Sequence, residues 1–278
     1  MKLAVSNIAW SSAEDDRIAE LLRREGVTAI EIAPTAWRER PLEAPAADVL
    51  ALRRSWNERG IDIVSLQSLL FGRPDLQLFA TGESRAAMLD HLRRTIDFAA
   101  NVGARALVFG SPKNRLRGDV GVAEATSVAR DFLRAVGEYA HACGTVLCIE
   151  ANPPQYGCDF ITTTTEAVEL CCLVDHPGVG VNGDLGGMTL SQEDVAASIA
   201  LAAPVLAHFH VSEPHLAETG TAGADHAEAA QALRHTGYDG WISIEMRAAG
   251  DGENVVAVAR AIRRAKADYL EPASARRR

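Results

Sequence analysis

The sequence predicts an α/β protein, a single (β/α)8 barrel, from three observations. Short apolar runs alternate with segments whose apolar residues recur every three or four positions, which is the spacing of helices. Glycine follows several of these segments, as expected of left-handed helix caps. The strand-to-helix cycle can be counted eight times in a chain of 278 residues, the repeat number of an α/β barrel.

The predicted strands are short apolar runs that end in loops. In chain order they are Leu3–Asn7, Ala29–Ile32, Ile61–Leu66, Ala104–Phe109, Val146–Glu150, Val179–Asp184, Val205–Val211 and Trp241–Glu245. The predicted helices that follow them are Ala13–Arg24, Ala46–Trp56, Arg85–Phe98, Ala125–Tyr139, Thr163–Val174, Ser191–Leu201, His226–His235 and Asn254–Tyr269. No linker or change of composition divides the chain, so we expect one domain over residues 1–270 and a basic tail at 271–278.

The main alternative fold is an open, doubly wound sheet. Such a sheet carries a glycine-rich turn after its first strand. Residues Asn7–Ser11 contain no glycine, and the glycines of Gly183–Gly187 follow the sixth strand, next to a carboxylate. The barrel is therefore favoured.

Composition and charge exclude several classes of protein. The hydrophobic content of 47% is ordinary for a folded globular enzyme. The net charge of −9 argues against nucleic acid and anionic membranes as partners, because both attract a basic surface. The chain has no Cys-x-x-Cys pair, no apolar core of a signal peptide near Met1 and no run of membrane-spanning length, so a cytoplasmic location is the default expectation.

Four predicted strands end in a side chain that can bind a metal ion: Glu150, Asp184, His210 and Glu245. Their intervals of 34, 26 and 35 residues each allow a loop, a helix and the next strand. The carboxyl ends of barrel strands meet at one face, where active sites lie. Because hard oxygen donors dominate, the set suits a divalent cation of the Mn, Mg, Co or Zn type. The alternative is that each side chain is an ordinary polar strand end paired with a basic residue.

These residues resemble the xylose isomerase-like TIM barrels, in the branch of sugar phosphate isomerases and epimerases. The branch includes ketose 3-epimerases, hydroxypyruvate isomerase and inosose dehydratase. The resemblance covers nearly the whole chain, and its most specific parts are Cys148–Glu150, Gly183–Asp184, His208–Ser212 and Gly237–Glu245.

The resemblance implies a site built on one divalent metal ion, with manganese favoured. Glu150 and Glu245 would bind the metal and act as catalytic base and acid, and Asp184 and His210 would be further ligands. It also implies a small sugar-like substrate and possible assembly into a homodimer or homotetramer. Relatives usually carry a histidine at the position of Gly187 and an arginine in the loop that here reads Ser212–His215, so the substrate is left open.

The implied reaction is isomerisation or epimerisation of a sugar, a sugar phosphate or a sugar acid. A metal that chelates a ketone oxygen and a neighbouring hydroxyl acidifies the adjacent C–H bond. A carboxylate on one face can then remove the proton, and an acid on the other face can return one. Three alternatives are a dehydratase or lyase acting on a keto-sugar or cyclitol, a non-catalytic sugar-binding barrel, and a DNA-repair nuclease, which the negative charge disfavours.

Six further residues are candidates for binding the substrate. In the loop after the fourth strand, Lys113 and Arg115 could hold a phosphate or carboxylate, or could form a solvated basic loop. Arg247, beyond the eighth strand, could meet an anion or pair with a ligand carboxylate. Three buried-strand residues could bind hydroxyls or only support the site: His208, for which we favour orienting a metal ligand, Glu31 and Asn182.

Overall fold

Eight parallel strands close into one barrel in the computed structural model, which describes residues 1–250 and 252–271. Each strand pairs with the next along the chain, and the last pairs with the first. The strands are β1 (Lys2–Ser6), β2 (Ala29–Ile32), β3 (Asp62–Leu66), β4 (Ala106–Phe109), β5 (Val146–Glu150), β6 (Val179–Asp184), β7 (Leu206–Ser212) and β8 (Trp241–Glu245). The predicted fold class, a single (β/α)8 TIM barrel, is confirmed.

Helices connect the strands around the outside of the barrel. They are α1 (Asp15–Arg24), α2 (Pro34–Trp37), α3 (Ala46–Glu58), α4 (Gly82–Val102), α5 (Val122–Ala142), α6 (Thr164–Val174), α7 (Leu185–Leu190), α8 (Val195–Ala202), α9 (His226–His235) and α10 (Asn254–Ala265), followed by a π-helical turn, Lys266–Leu270. α2 and α7 were not predicted, because helices of one turn or little more show no apolar periodicity. α7 begins where the side chain of Asp184 accepts the N–H of Gly187.

The register of the central strands places the predicted site residues side by side. Glu150 of β5 lies opposite Asn182 of β6, and Asp184 of β6 lies opposite His210 of β7. The pairing of β6 with β7 shifts by one residue just before Asn182, as a β-bulge does. This irregularity brings the end of β6 level with the histidines of β7.

The predicted basic tail, residues 271–278, lies outside the described residues except for Glu271. The domain boundaries therefore stay a prediction. Across residues 1–250 and 252–271, none of the helices combines the length and the hydropathy that crossing a bilayer would need.

Candidate metal and substrate site

Four strand-end side chains converge around one nitrogen atom. Nδ1 of His210 lies 3.2 Å from an oxygen of Glu150, 3.3 Å from Glu245 and 3.6 Å from Asp184. Donor atoms that share one ion at a bond length of about 2.1 Å lie roughly 3.0–3.4 Å from one another. The structure thus brings together around His210 the four residues that the sequence predicted as ligands, and the donor atoms of Glu150, Asp184 and His210 all lie within 4.8 Å of one another.

The Nδ1 atom of His210 is buried and has no partner with hydrogen-bond geometry among the described residues. The other ring nitrogen, Nε2, lies 3.2 Å from Glu31, so its N–H faces that carboxylate. Burial alone would lower the pKa of His210, but Glu31 and Glu245 raise it well above its ordinary value. Three carboxylates around Nδ1 therefore require a positive charge at this point, either a proton or a metal ion.

Glu245 also lies where a nearby positive charge is needed to stabilise its ionised form. Burial raises the pKa of its carboxyl to about 7, with His210 opposing the shift and the charges of Asp184 and Glu150 adding to it. A divalent cation in the centre would neutralise these charges. Three carboxylates and one imidazole are a donor set that hard or borderline divalent ions accept, so the residues present fit a metal ion.

Glu150 is held in place by two amide side chains. Asn182 donates to one of its oxygens at 2.8 Å, and Asn152 donates to the other at 2.9 Å. The β4 loop approaches the same carboxylate so closely that a Cβ on Gly110 would lie 2.3 Å from Oε2. A side chain at position 110 would therefore displace the Glu150 carboxylate, and Asn182 positions Glu150 instead of lining the cavity described below.

Asp184 is fixed from the start of α7 and from β7. One of its oxygens accepts the N–H of Gly187 at 2.6 Å, and the other accepts the hydroxyl of Ser212 at 2.7 Å. A Cβ on Gly187 would lie 3.0 Å from the first oxygen. In this chain the position where relatives carry a histidine therefore supports a metal-ligand candidate through its backbone.

Glu31 and His208 are buried and do not line the cavity, so neither lies where a substrate would bind; for His208 this agrees with the favoured interpretation that it orients a metal ligand. His208 Nε2 lies 3.0 Å from Glu31, and Ser65 and Gln67 also donate to that carboxylate. Burial alone would raise the pKa of Glu31, but the two imidazoles lower it below its ordinary range. Glu31, His208 and His210 form a second group with metal-binding geometry, yet their hydrogen bonds to one another indicate that they orient His210.

Arg115 is a structural residue, which corrects the prediction that it binds substrate. It is 1% exposed, and its guanidinium donates to the carbonyls of Gly110 at 2.7 Å, Glu150 at 2.7 Å and Phe160 at 2.8 Å, with Ile161 at 3.2 Å. Lys113 is exposed and does not line the cavity either. Neither predicted cation of the β4 loop therefore lines this cavity.

A cavity of about 390 Å³, here called the mouth cavity, opens above the four ligand candidates. Tyr156 and Arg247 line it from the β5 and β8 loops. Burial raises the pKa of Tyr156 to about 12, so its hydroxyl stays protonated at neutral pH. That hydroxyl accepts the N–H of His215 at 2.8 Å, and the guanidinium of Arg247 donates to the carbonyl of His215. Arg247 thus lines the mouth cavity, and its role in binding a substrate stays a prediction.

Several supporting residues were missed from the sequence: Asn152, Gly110, Ser212 and Tyr156. Asn152 and Ser212 lie inside or beside the quoted motifs, two residues after a strand-end carboxylate or histidine. Side chains alternate in direction along an extended chain, so a residue two positions after a ligand candidate points the same way as that candidate. This alternation was the available signal for Asn152 and Ser212. Tyr156 lies on a 3-10 turn, Pro154–Tyr156, whose direction no local pattern predicts.

Comparison with known proteins gives a family and a fold. A family model described as "Xylose isomerase-like TIM barrel" matches residues 19–267. The D-psicose 3-epimerase of Ruminiclostridium cellulolyticum is 29% identical over 115 residues, which are 41% of this chain and 39% of that protein, so the match spans well under half of the relative's length.

Two solved structures share the fold. A D-psicose 3-epimerase determined in the presence of D-fructose superposes with a TM-score of 0.82 at 19% identity, covering 98% of this chain and 100% of that one. The IOLI protein, determined with a zinc atom bound, gives a TM-score of 0.74 at 17% identity, covering 97% of each chain.

Proposed function

This chain belongs to the xylose isomerase-like TIM barrel family, and we propose that it is a divalent-metal-dependent isomerase or epimerase of a sugar, a sugar phosphate or a sugar acid. The observation that carries the proposal is the convergence of three carboxylates on Nδ1 of His210, a buried atom that has no hydrogen-bond partner among the described residues. The matched relatives are sugar epimerases, which supports the same class of reaction.

Glu150, Asp184, His210 and Glu245 would hold the ion. Oxygen donors predominate, which favours manganese among the candidate metals, and the zinc bound by one structural neighbour keeps zinc in the test set. When bound, a divalent cation supplies Lewis-acid polarisation of a carbonyl group, which acidifies the neighbouring C–H bond.

Glu150 and Glu245 are placed to transfer protons from two directions. They project from β5 and β8, which are separated by two strands of the barrel, and each side chain is only 12–14% exposed. We assign Glu150 as the group that removes a proton from one face of the substrate carbon. Glu245 would return a proton to the other face, and the roles reverse in the back reaction.

The loops above the site would orient the hydroxyl groups of the substrate. The protonated phenol of Tyr156 can donate one hydrogen bond, and Arg247 carries guanidinium donors beyond the one engaged by His215. Arg247 reaches the β7 loop from its neighbour β8. It thus supplies a cation beside the loop in which relatives tend to place their own arginine.

The function is tested by hydrogen exchange with solvent. Protein loaded with Mn²⁺ is incubated in D2O with a panel of ketoses, ketose phosphates and sugar acids, and the products are analysed by NMR and mass spectrometry. We expect one deuterium at the inverted or isomerised carbon with no loss of water. Loss of water would identify a dehydratase, and absence of exchange on every sugar would reject the enzyme and favour a sugar-binding barrel.

Addition of Mn²⁺ is expected to raise the melting temperature, and more at pH 8 than at pH 6. Glu245, with a pKa of about 7, and His210 must lose their protons before an ion can occupy the site, so metal affinity rises with pH across this window. At 100 times the Kd, binding adds about 2.7 kcal/mol to stability. Differential scanning fluorimetry with Mn²⁺ and with EDTA measures the shift.

The matched control is His210→Asn, which removes the central donor. It should show no Mn²⁺-dependent shift at either pH. An equal shift in this variant, or a shift that is the same at pH 6 and pH 8, would contradict the assignment of the site.

A further inference from the structure

A second and larger cavity lies next to the mouth cavity, on the side of the β2 and β3 loops. We call it the side cavity; its volume is about 880 Å³. Ser68, two residues after the end of β3, contributes to the walls of both cavities. The two cavities therefore adjoin at this residue, and a molecule bound at the metal-ligand candidates would pass Ser68 to enter the side cavity.

The side cavity is rich in arginine, and each of these arginines has a carboxylate partner: Glu43 for Arg40 at 3.4 Å, Asp75 for Arg73 at 2.7 Å and Asp90 for Arg94 at 3.2 Å. Three arginines line it, Arg40, Arg73 and Arg94, against two glutamates. His91 also lines it, and burial lowers the pKa of this histidine, so it adds no charge at neutral pH. Phe71, 71% exposed, provides an apolar edge.

Arg73 is held in a fixed orientation by two partners. Asp75 accepts from Nε at 2.9 Å and from Nη2 at 2.7 Å, which occupies one edge of the guanidinium. His91 Nε2 lies 3.0 Å from the carbonyl of Leu69 and must therefore carry the proton. Its Nδ1 is then an acceptor for Nη1 of Arg73, at 3.0 Å.

These contacts engage three of the five N–H groups of Arg73 and leave one on each terminal nitrogen. A guanidinium that is already oriented loses little entropy when it binds a planar or tetrahedral oxyanion. Arg94, which pairs with the exposed Asp90 at 3.2 Å, adds a second guanidinium to the same wall.

We propose that the side cavity binds an oxyanionic group, a phosphate or a carboxylate, that the substrate carries at the end remote from its reacting carbons. The inference rests on the proposed function, because it assumes that a sugar occupies the mouth cavity. In this proposal the anion is bound by Arg73 of the β3 loop. Arg115 of the β4 loop does not bind it, because its guanidinium donates to backbone carbonyls. The proposed substrate is thus an acidic sugar derivative that is longer than the sugar unit bound at the metal site.

The first test needs no catalysis. The Kd of inorganic phosphate is measured by calorimetry on Mn²⁺-loaded protein, on Arg73→Gln, on Arg94→Gln and on the control Arg130→Gln. Arg130 matches Arg94 in exposure, 45% against 48%, and in having a carboxylate neighbour, but lines neither cavity. We expect Arg73→Gln to raise Kd at least about tenfold, because a charge-assisted contact is lost, Arg94→Gln to raise it several-fold and Arg130→Gln to leave it unchanged.

Phosphate binding that disappears on chelation of the metal and ignores both arginine substitutions would place the anion at the mouth cavity and overturn the proposal. If Arg73→Gln does not fold, Arg94→Gln and the charge-preserving Arg73→Lys decide the question. Arg73→Lys should retain part of the phosphate affinity.

The second test uses substrates found in the exchange panel. Arg73→Gln should raise KM for the phosphate-bearing or carboxylate-bearing member at least about tenfold, with kcat and the KM of the neutral counterpart unchanged. If KM rises for the phosphate-bearing substrate, the oxyanion is a phosphate. If it rises for the carboxylate-bearing substrate, the oxyanion is a carboxylate. Equal changes for acidic and neutral substrates would reject the side cavity as an anion site. Absence of turnover on every sugar would reject the proposed function, while the phosphate titration would still decide the anion site.

Discussion

Replacing Glu150 or Glu245 by glutamine is expected to lower the rate of sugar interconversion by about 10²–10⁴-fold, the range for loss of a positioned acid or base. Glutamine keeps the size of the side chain and an oxygen that can face a metal ion, but it cannot accept a proton from carbon. Each variant should therefore still bind Mn²⁺, more weakly than the parent. Calorimetry and NMR-monitored turnover measure the two effects separately.

The exchange pattern gives a sharper result. With Glu150→Gln, only the epimer whose C–H bond faces Glu245 should exchange hydrogen with D2O, and with Glu245→Gln only the opposite epimer should do so. Glu228→Gln is the matched control, because Glu228 is exposed in the first turn of α9. A two-base mechanism would be rejected if either variant still interconverted both epimers at a tenth of the parent rate or more.

Arg115→Met is expected to lower the free energy of unfolding by about 3–5 kcal/mol, because it removes a buried charged donor that four backbone carbonyls share. These carbonyls belong to Gly110, Glu150, Phe160 and Ile161, in the loops that surround Glu150. For a barrel of this size the loss corresponds to a decrease of roughly 10 °C in Tm. Urea denaturation followed by circular dichroism measures it.

Lys113→Met, two residues away, is the control for Arg115→Met. Lys113 is exposed, so its substitution should change stability by no more than about 0.5 kcal/mol. If Arg115→Met left stability unchanged and instead raised KM for acidic substrates alone, Arg115 would be a substrate-binding residue after all.

The barrel and its four ligand candidates could be predicted because both depend on local features. The spacing of apolar residues indicates the repeat of strand and helix. Four short apolar runs each end in one of the ligand candidates, Glu150, Asp184, His210 and Glu245. The helix α7 was missed because it depends on a single cap by Asp184 and not on periodicity. Its six residues are too few for an apolar face to show.

The interpretation of Arg115 was wrong for a related reason. A sequence shows that a cation is present in a loop, but not whether carbonyl groups from other loops converge on it. Phe160 and Ile161, which accept from its guanidinium, lie more than forty positions further along the chain. The opposite case is Arg73, an ordinary loop arginine in the sequence that Asp75 and His91 orient toward a cavity.

The amino-acid sequence by itself determined the order of the strands, the end of each strand and the kinds of side chain placed there, because these follow from neighbouring residues. Only the tertiary structure decided the register of neighbouring strands, and therefore which of those side chains lie opposite one another. In the pairing of β6 with β7, Val181 faces Leu206 but Asn182 faces His208, so Ala207 is passed over and Asp184 lies opposite His210. Register is set by packing over the whole barrel, and a slip of one residue would turn these side chains to the other face of the sheet.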